Sequence, residues 1–270
     1  MRIPINTNKE PMVLRIKVQT KHPEKIMIRV ADALRPKTDY FKEWFPIQGE
    51  RTFDISMPNT PKKIVVLIYN MRIGDVAEAK DTSFKVIKDK DGNPGEILPI
   101  KRHPELYNMN SDLLNEATEF IEWFSQNASV LSANGSVYRS KKGTFRIDYL
   151  DRILDRKTGK ELSTPARISQ DRGIIEVSKA LFVAYPVPYR DAILSHEISH
   201  FYINTHPEDE EEADYHALRL FLGRGYTCID AQRAFLNVFE TVPSDTNVER
   251  QAKIEEFVTA FAKRNGLFIN

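Results

Sequence analysis

The chain has a single cysteine in 270 residues, Cys228. That excludes an internal disulfide and the paired-cysteine spacing of a structural zinc site, and it fits a reducing compartment. No apolar run approaches the roughly 20 residues a helix needs to cross a bilayer. The first residues lack a hydrophobic signal region, so the expectation is a cytoplasmic chain without a membrane partner. An excess of charge is also missing: 39 Lys and Arg stand against 38 Asp and Glu. Nothing in that balance points to nucleic acid or a charged membrane surface. The longest basic cluster, Arg139-Ser140-Lys141-Lys142, lies beside Gly135 and Gly143 and reads as a solvated loop.

Histidine is scarce too, with six in the chain, yet two of them stand four apart in His196-Glu197-Ile198-Ser199-His200. On a helix of 3.6 residues per turn, residues four apart lie about 40° from one another, so both imidazoles project from one face and can hold one ion. Glu197 lies on a neighbouring part of that face. There it can take a proton from a water whose pKa a bound metal lowers to about 7. A catalytic zinc takes three protein ligands and leaves a fourth position to water.

The third ligand is sought downstream. Pro207 to Gly223 reads as a second helix, with proline at its first position, acids in its first turn and glycine at its end. Within it Glu210 and Asp214 are four apart and share a face. Read separately, the acids are a solvated helix start and the histidines partly buried helix residues. Their adjacency favours a metal site.

Here the chain resembles the gluzincins, thermolysin-like and related intracellular zincin metallopeptidases. In these a glutamate is the third ligand and an aspartate follows four residues later, often as Glu-x-x-Ala-Asp. Glu210-Glu211-Glu212-Ala213-Asp214 has that form. The resemblance implies zinc (Zn2+) held by His196, His200 and Glu210, with Asp214 orienting a zinc histidine. Two departures keep alternatives open. The interval between His200 and Glu210 is short for a gluzincin, and His206 stands where a metzincin places its third histidine. Ile203, however, occupies the position at which metzincins carry a turn-forming glycine. His206 and Glu211 therefore remain alternative ligands. Gluzincins also place a histidine or tyrosine beside the metal to stabilise the oxyanion. Tyr202, Tyr215, His216 and Tyr226 are candidates, with His216 and Tyr226 ranked first and Arg250 as a weaker choice.

The expected fold class is α+β. A small all-β sandwich or barrel over 1–90, with short strands at Met12–Thr20, Lys25–Val30, Arg51–Met57, Lys63–Tyr69 and Ser83–Ile87, precedes a linker at 91–104. A zincin-like catalytic domain over 105–270 follows. Its helix Ser111–Gln126 leads to strands at Thr144–Leu150, Pro165–Ser169 and Gly173–Ser178, with a turn at Asp155–Gly159. The metal helix is expected from about Tyr189 to Ile203, and two more helices at Cys228–Phe239 and Asn247–Lys263. The resemblance implies an exposed edge strand beside the metal helix, either Ile174–Ser178 or its neighbour at Arg167, that pairs with extended substrate. The expected activity is zinc-dependent hydrolysis of a peptide or protein substrate with Glu197 as general base. The N-terminal domain has no histidine pair or Gly-rich phosphate loop; it reads as a docking module for a protein partner, or as a structural cover. The rival reading is a vestigial zincin scaffold that binds through that domain; a third is hydrolysis of a non-peptide amide.

Overall fold

In the computed structural model, residues 1–71, 84–88, 91–106, 111–169, 171–239 and 245–265 are described. Ser83 and the side chains of Phe239 and Asn247, which bound elements expected from the sequence, lie outside them. The chain is α+β and divides into two compact units, Met1–Lys101 and Arg102–Asn270.

The first unit is one six-stranded sheet built on a single long strand. Strands β1 (Arg2–Asn6), β2 (Met12–Asp32), β3 (Asp39–Met57) and β4 (Lys63–Met71) run in the order β1-β4-β2-β3; β5 (Phe84–Ile87) and β6 (Glu96–Pro99) pair with the first half of β2. All these pairings are antiparallel. The sequence suggested two strands on either side of His22-Pro23, but β2 continues through them with a register shift against β3. Thr20 pairs with Gly49 and Glu24 with Ile47, so β2 spends two more residues than β3 over that interval. An even excess preserves side-chain alternation. Met12, Leu14, Ile16 and Val18 before the shift, and Ile26, Ile28 and Val30 after it, all point into the core. Gly49 takes the positive φ of 79° that this bend requires. The expected linker is also part of this sheet, because β6 falls inside 91–104.

The second unit stacks α1 (Asp112–Asn127), a four-stranded sheet and a set of helices. Strands β7 (Asn134–Arg139), β8 (Arg146–Leu150), β9 (Ala166–Ser169) and β10 (Ile174–Ser178) run in the order β7-β8-β10-β9. The β8–β10 pair is parallel and the other two pairs antiparallel. The edge beside the helices is therefore β9, and β10 is internal. The buried Glu116 of α1 accepts from Ser140 Oγ, Thr144 Oγ1 and the Lys142 amide, which ties α1 to the β7–β8 hairpin. After the one-turn α2 (Lys179–Phe182) come α3 (Val187–Tyr202), α4 (Glu210–Gly223), α5 (Cys228–Phe239) and α6 (Asp245–Arg264).

Helix α3 begins two residues earlier than expected, because Pro188 falls in its first turn, where a missing N–H costs no hydrogen bond. It lies between two cores. Ile193, Leu194 and Ile198 pack with α1 and the sheet, while Ala192 packs with α4, α5 and α6. Buried polar groups anchor its N-terminal half. The Arg190 guanidinium donates to the carbonyls of Ser125, Val183 and Tyr185 at 2.8–2.9 Å. Asp191 meets Arg224 at 2.7 Å, and Arg224 also meets Glu122 at 3.0 Å. At the other end of α3 the β9–β10 turn closes against it. Gly173 has φ +62°, and a Cβ there would stand 2.7 Å from the Phe201 ring and 2.8 Å from the Tyr202 hydroxyl. Gly173→Ala is expected to destabilise this unit by about 1–3 kcal/mol, seen as a lower denaturation midpoint; an unchanged midpoint would show that both rings give way freely.

Candidate metal centre

Helix α3 is continuous through His196-Glu197-Ile198-Ser199-His200, so the two imidazoles converge, with Nε2 atoms 3.0 Å apart. Helix α4 supplies the third group. It starts later than expected, at Glu210, because Asp209 is its N-cap and accepts from the Glu212 amide at 3.0 Å, leaving Pro207 in the turn before it. This sets Glu210 in the first turn, facing α3. Its carboxylate oxygens lie 3.2 Å from His196 Nε2 and 3.5 Å from His200 Nε2. Among the described residues, His196, His200 and Glu210 form a group able to hold a metal ion.

The far nitrogens of both rings face acceptors. His200 Nδ1 donates to the Pro207 carbonyl at 2.7 Å. His196 Nδ1 lies 2.9 Å from Asp214 Oδ1, outside hydrogen-bond alignment. Such partners keep the proton on Nδ1 and leave Nε2 as a lone-pair donor. Two bare lone pairs 3.0 Å apart repel, so the pair requires a cation, either a proton or a metal. Tetrahedral zinc with bonds of 2.0–2.1 Å spaces its ligand atoms about 3.3 Å apart; the two imidazole nitrogens stand 3.0 Å apart, each faces a different Glu210 oxygen, and one ligand atom from each residue lies within 4.8 Å of the others. The donor set thus fits a small divalent ion with nitrogen and carboxylate preference.

Arg250 of α6 completes the surroundings. Its guanidinium reaches Asp214 through Nε at 2.7 Å and Nη2 at 3.0 Å, and Glu210 Oε2 at 3.1 Å. Partial burial works against the Glu210 charge, but hydrogen bonds from His196 and His200 and the nearby Arg250 outweigh it and hold the carboxyl well below the usual range. Burial pushes the Glu197 carboxyl up, against the opposing pull of both histidines. A raised carboxyl pKa suits a general base better than an ordinary surface value does. A groove of about 810 Å³ between α4 and α6 is lined by Asp214 and Arg250 but by none of His196, Glu197, His200 and Glu210.

The remaining candidates are placed elsewhere. Tyr226 is buried, stacks on Phe221 at 3.9 Å and donates its hydroxyl to Asp191 Oδ2 at 2.7 Å. Burial raises its pKa well above the ordinary value. It braces α3 more than a turn before His196. His216 follows Glu210 by six residues, about 120° around the helix. Its Nε2 lies 3.8 Å from Glu212 Oε1, and burial lowers its pKa. His206 is 70% exposed at its side chain, with Nδ1 3.9 Å from Glu212; it is not in the ligand group. Glu211 is paired with Lys253. Tyr202 donates to the carbonyls of Thr144 and Gly173, and Tyr215 lies against Phe257. Arg250, ranked lowest by sequence, is the side chain that reaches the centre; its only sequence signal is a cation on a helix that must pack on an acidic one.

A proton and a metal compete for His196 Nε2. Burial disfavours the imidazolium, but Asp214 and Glu210 outweigh burial and push the ring up to about 10. Metal uptake at neutral pH should therefore release about one proton, and affinity should rise about tenfold per pH unit below that value. Calorimetric titration with zinc in buffers of differing ionisation enthalpy measures this directly; uptake without proton release would contradict it. No helix among the described residues is long and apolar enough to cross a membrane. Compared with family models, curated proteins and solved structures, the chain matches none.

Proposed function

We propose that this chain is a zinc-dependent metallopeptidase, a hydrolase of peptide bonds. The observation that carries the reading is the convergence of His196 Nε2, His200 Nε2 and the Glu210 carboxylate within hydrogen-bonding distances, with both Nδ1 atoms turned to acceptors. Its expected setting, a zincin-like domain, is supported by the element order: α1 backing a twisted sheet, then the histidine helix α3, then the carboxylate helix α4. The lone, buried Cys228 suits the reducing cytoplasm.

His196, His200 and Glu210 would hold the ion, and Asp214 and Arg250 would fix their orientation. A bound zinc supplies Lewis-acid polarisation of the scissile carbonyl and a lowered water pKa. Glu197 accepts the proton of the attacking water and returns it to the leaving amine nitrogen. Edge strand β9 offers backbone groups to an extended peptide as an added strand, and it packs against the histidine helix α3. Backbone pairing of this kind favours an extended chain over a small amide.

The test is hydrolysis of a diverse peptide library by zinc-loaded protein, with and without chelator. Cleavage that chelation abolishes and zinc restores is the expected result. No cleavage by fully loaded protein would overturn the reading in favour of a binding scaffold.

A further inference from the structure

The balanced total charge conceals a separation. Met1–Lys101 carries 19 Lys and Arg against 13 Asp and Glu, a net charge of +6, and Arg102–Asn270 carries 20 against 25, a net charge of −5. An asymmetry of this kind between parts of a chain points to a polyanionic partner.

Part of the positive charge lies on one sheet face. Where β4, β2 and β3 run side by side, Tyr69, Met27 and Trp44 occupy directly opposed positions, so they form one row on the same face. The next row is Arg2, Leu67, Arg29 and Lys42 across β1, β4, β2 and β3. On the other side of the aromatic row Lys25 stands opposite Pro46. Cations thus flank the aromatic row on both sides. Asp39, at the end of this face, is paired with Arg29 at 2.7 Å; among the described residues Arg2, Lys25 and Lys42 have no carboxylate partner. The opposite face of the same strands, with Ile26, Ile28, Phe45 and Ile68, is core, whereas Trp44 is 39% and Tyr69 44% exposed. Two strand spacings put these aromatics about 10 Å apart. Lys25 Nζ lies 5.9 Å from the Trp44 ring centroid, so cation and π-face are already juxtaposed.

We propose that this face binds single-stranded nucleic acid, with bases stacked on Trp44 and Tyr69 and the phosphates beside Lys25, Lys42 and Arg2. Aromatics on a sheet flanked by lysine and arginine suit unstacked bases joined by phosphates. A sheet face offers no projecting element to a duplex groove. An anionic membrane would call for protruding apolar groups to enter the acyl boundary, but Met27 and Leu67 are only partly exposed between cations. An acidic polypeptide would satisfy the lysines and leave the aromatics without a role. A base stacking on Trp44 displaces the Lys25 ammonium toward a phosphate, which makes the two residues act together.

The experiment is fluorescence anisotropy of labelled oligo-dT and oligo-rU titrated with the full chain at low and moderate salt, with Trp44 emission read in parallel. Expected are salt-sensitive binding, quenching of Trp44, and affinity losses of about tenfold each for Trp44→Ala and Tyr69→Ala. Trp44→Phe should retain most of the affinity, which separates stacking from misfolding. Lys42→Gln should reduce the slope of log affinity against log salt by about 0.7. The proposal is overturned by absence of binding at low salt, by Trp44→Ala binding as the wild type does, or by equal competition from polyglutamate. Tighter association with phosphatidylserine vesicles than with either oligonucleotide would overturn it in favour of a membrane surface.

Discussion

Replacing Glu197 by glutamine is expected to lower peptide turnover by about 10²–10⁴-fold while leaving bound metal per chain unchanged. The amide keeps the shape of the side chain, but it cannot accept the proton of the attacking water. Because Glu197 is not among the three convergent ligands, metal content should not fall with activity. The variant therefore separates chemistry from binding. Turnover within a few-fold of wild type would remove Glu197 from the mechanism, and a parallel loss of metal would make it a ligand.

The second large effect is on stability. Asp191→Ala is expected to destabilise the second unit by about 3–5 kcal/mol. Asp191 and Arg224 are both buried, and their 2.7 Å contact is shared with the Tyr226 hydroxyl. Removing the carboxylate leaves a buried guanidinium with Glu122 as its remaining acid and takes the acceptor from the tyrosine. Against a typical total of about 5–15 kcal/mol for a domain, this is a large fraction. Because Asp191 lies on α3, the loss should appear as earlier thermal unfolding together with weaker metal retention. Asp191→Asn keeps one acceptor and should recover part of the stability. A melting profile unchanged by Asp191→Ala would show that the buried pair contributes no net stabilisation, as hydrophobic replacement of some buried pairs does.

The centre was legible in the sequence to the extent that its groups share one helix. His196 and His200 converge because four residues make nearly one turn, and the same rule brings Glu210 and Asp214 to one face of α4. Helical phase also explains the failure of His216, which the same arithmetic turns away from Glu210. Tyr226 could not be judged from its surroundings in sequence, since its partner Asp191 is 35 residues earlier. Arg250 was undervalued for the same reason: it meets Asp214 only because α6 packs against α4. In the first unit His22-Pro23 suggested a break, but proline is tolerated where a strand bulges, and β2 bulges there. The charge separation was hidden by summing over the whole chain.

Bound metal per chain tests the central claim most directly. Elemental analysis of tag-free protein purified without chelator should find about one zinc per chain, lost in Glu210→Ala and in His196→Ala, because a three-ligand site should retain its ion. Protein that contains no metal and takes up none on titration with zinc would contradict the account, leaving His196, His200 and Glu210 as a hydrogen-bonded group held together by a proton.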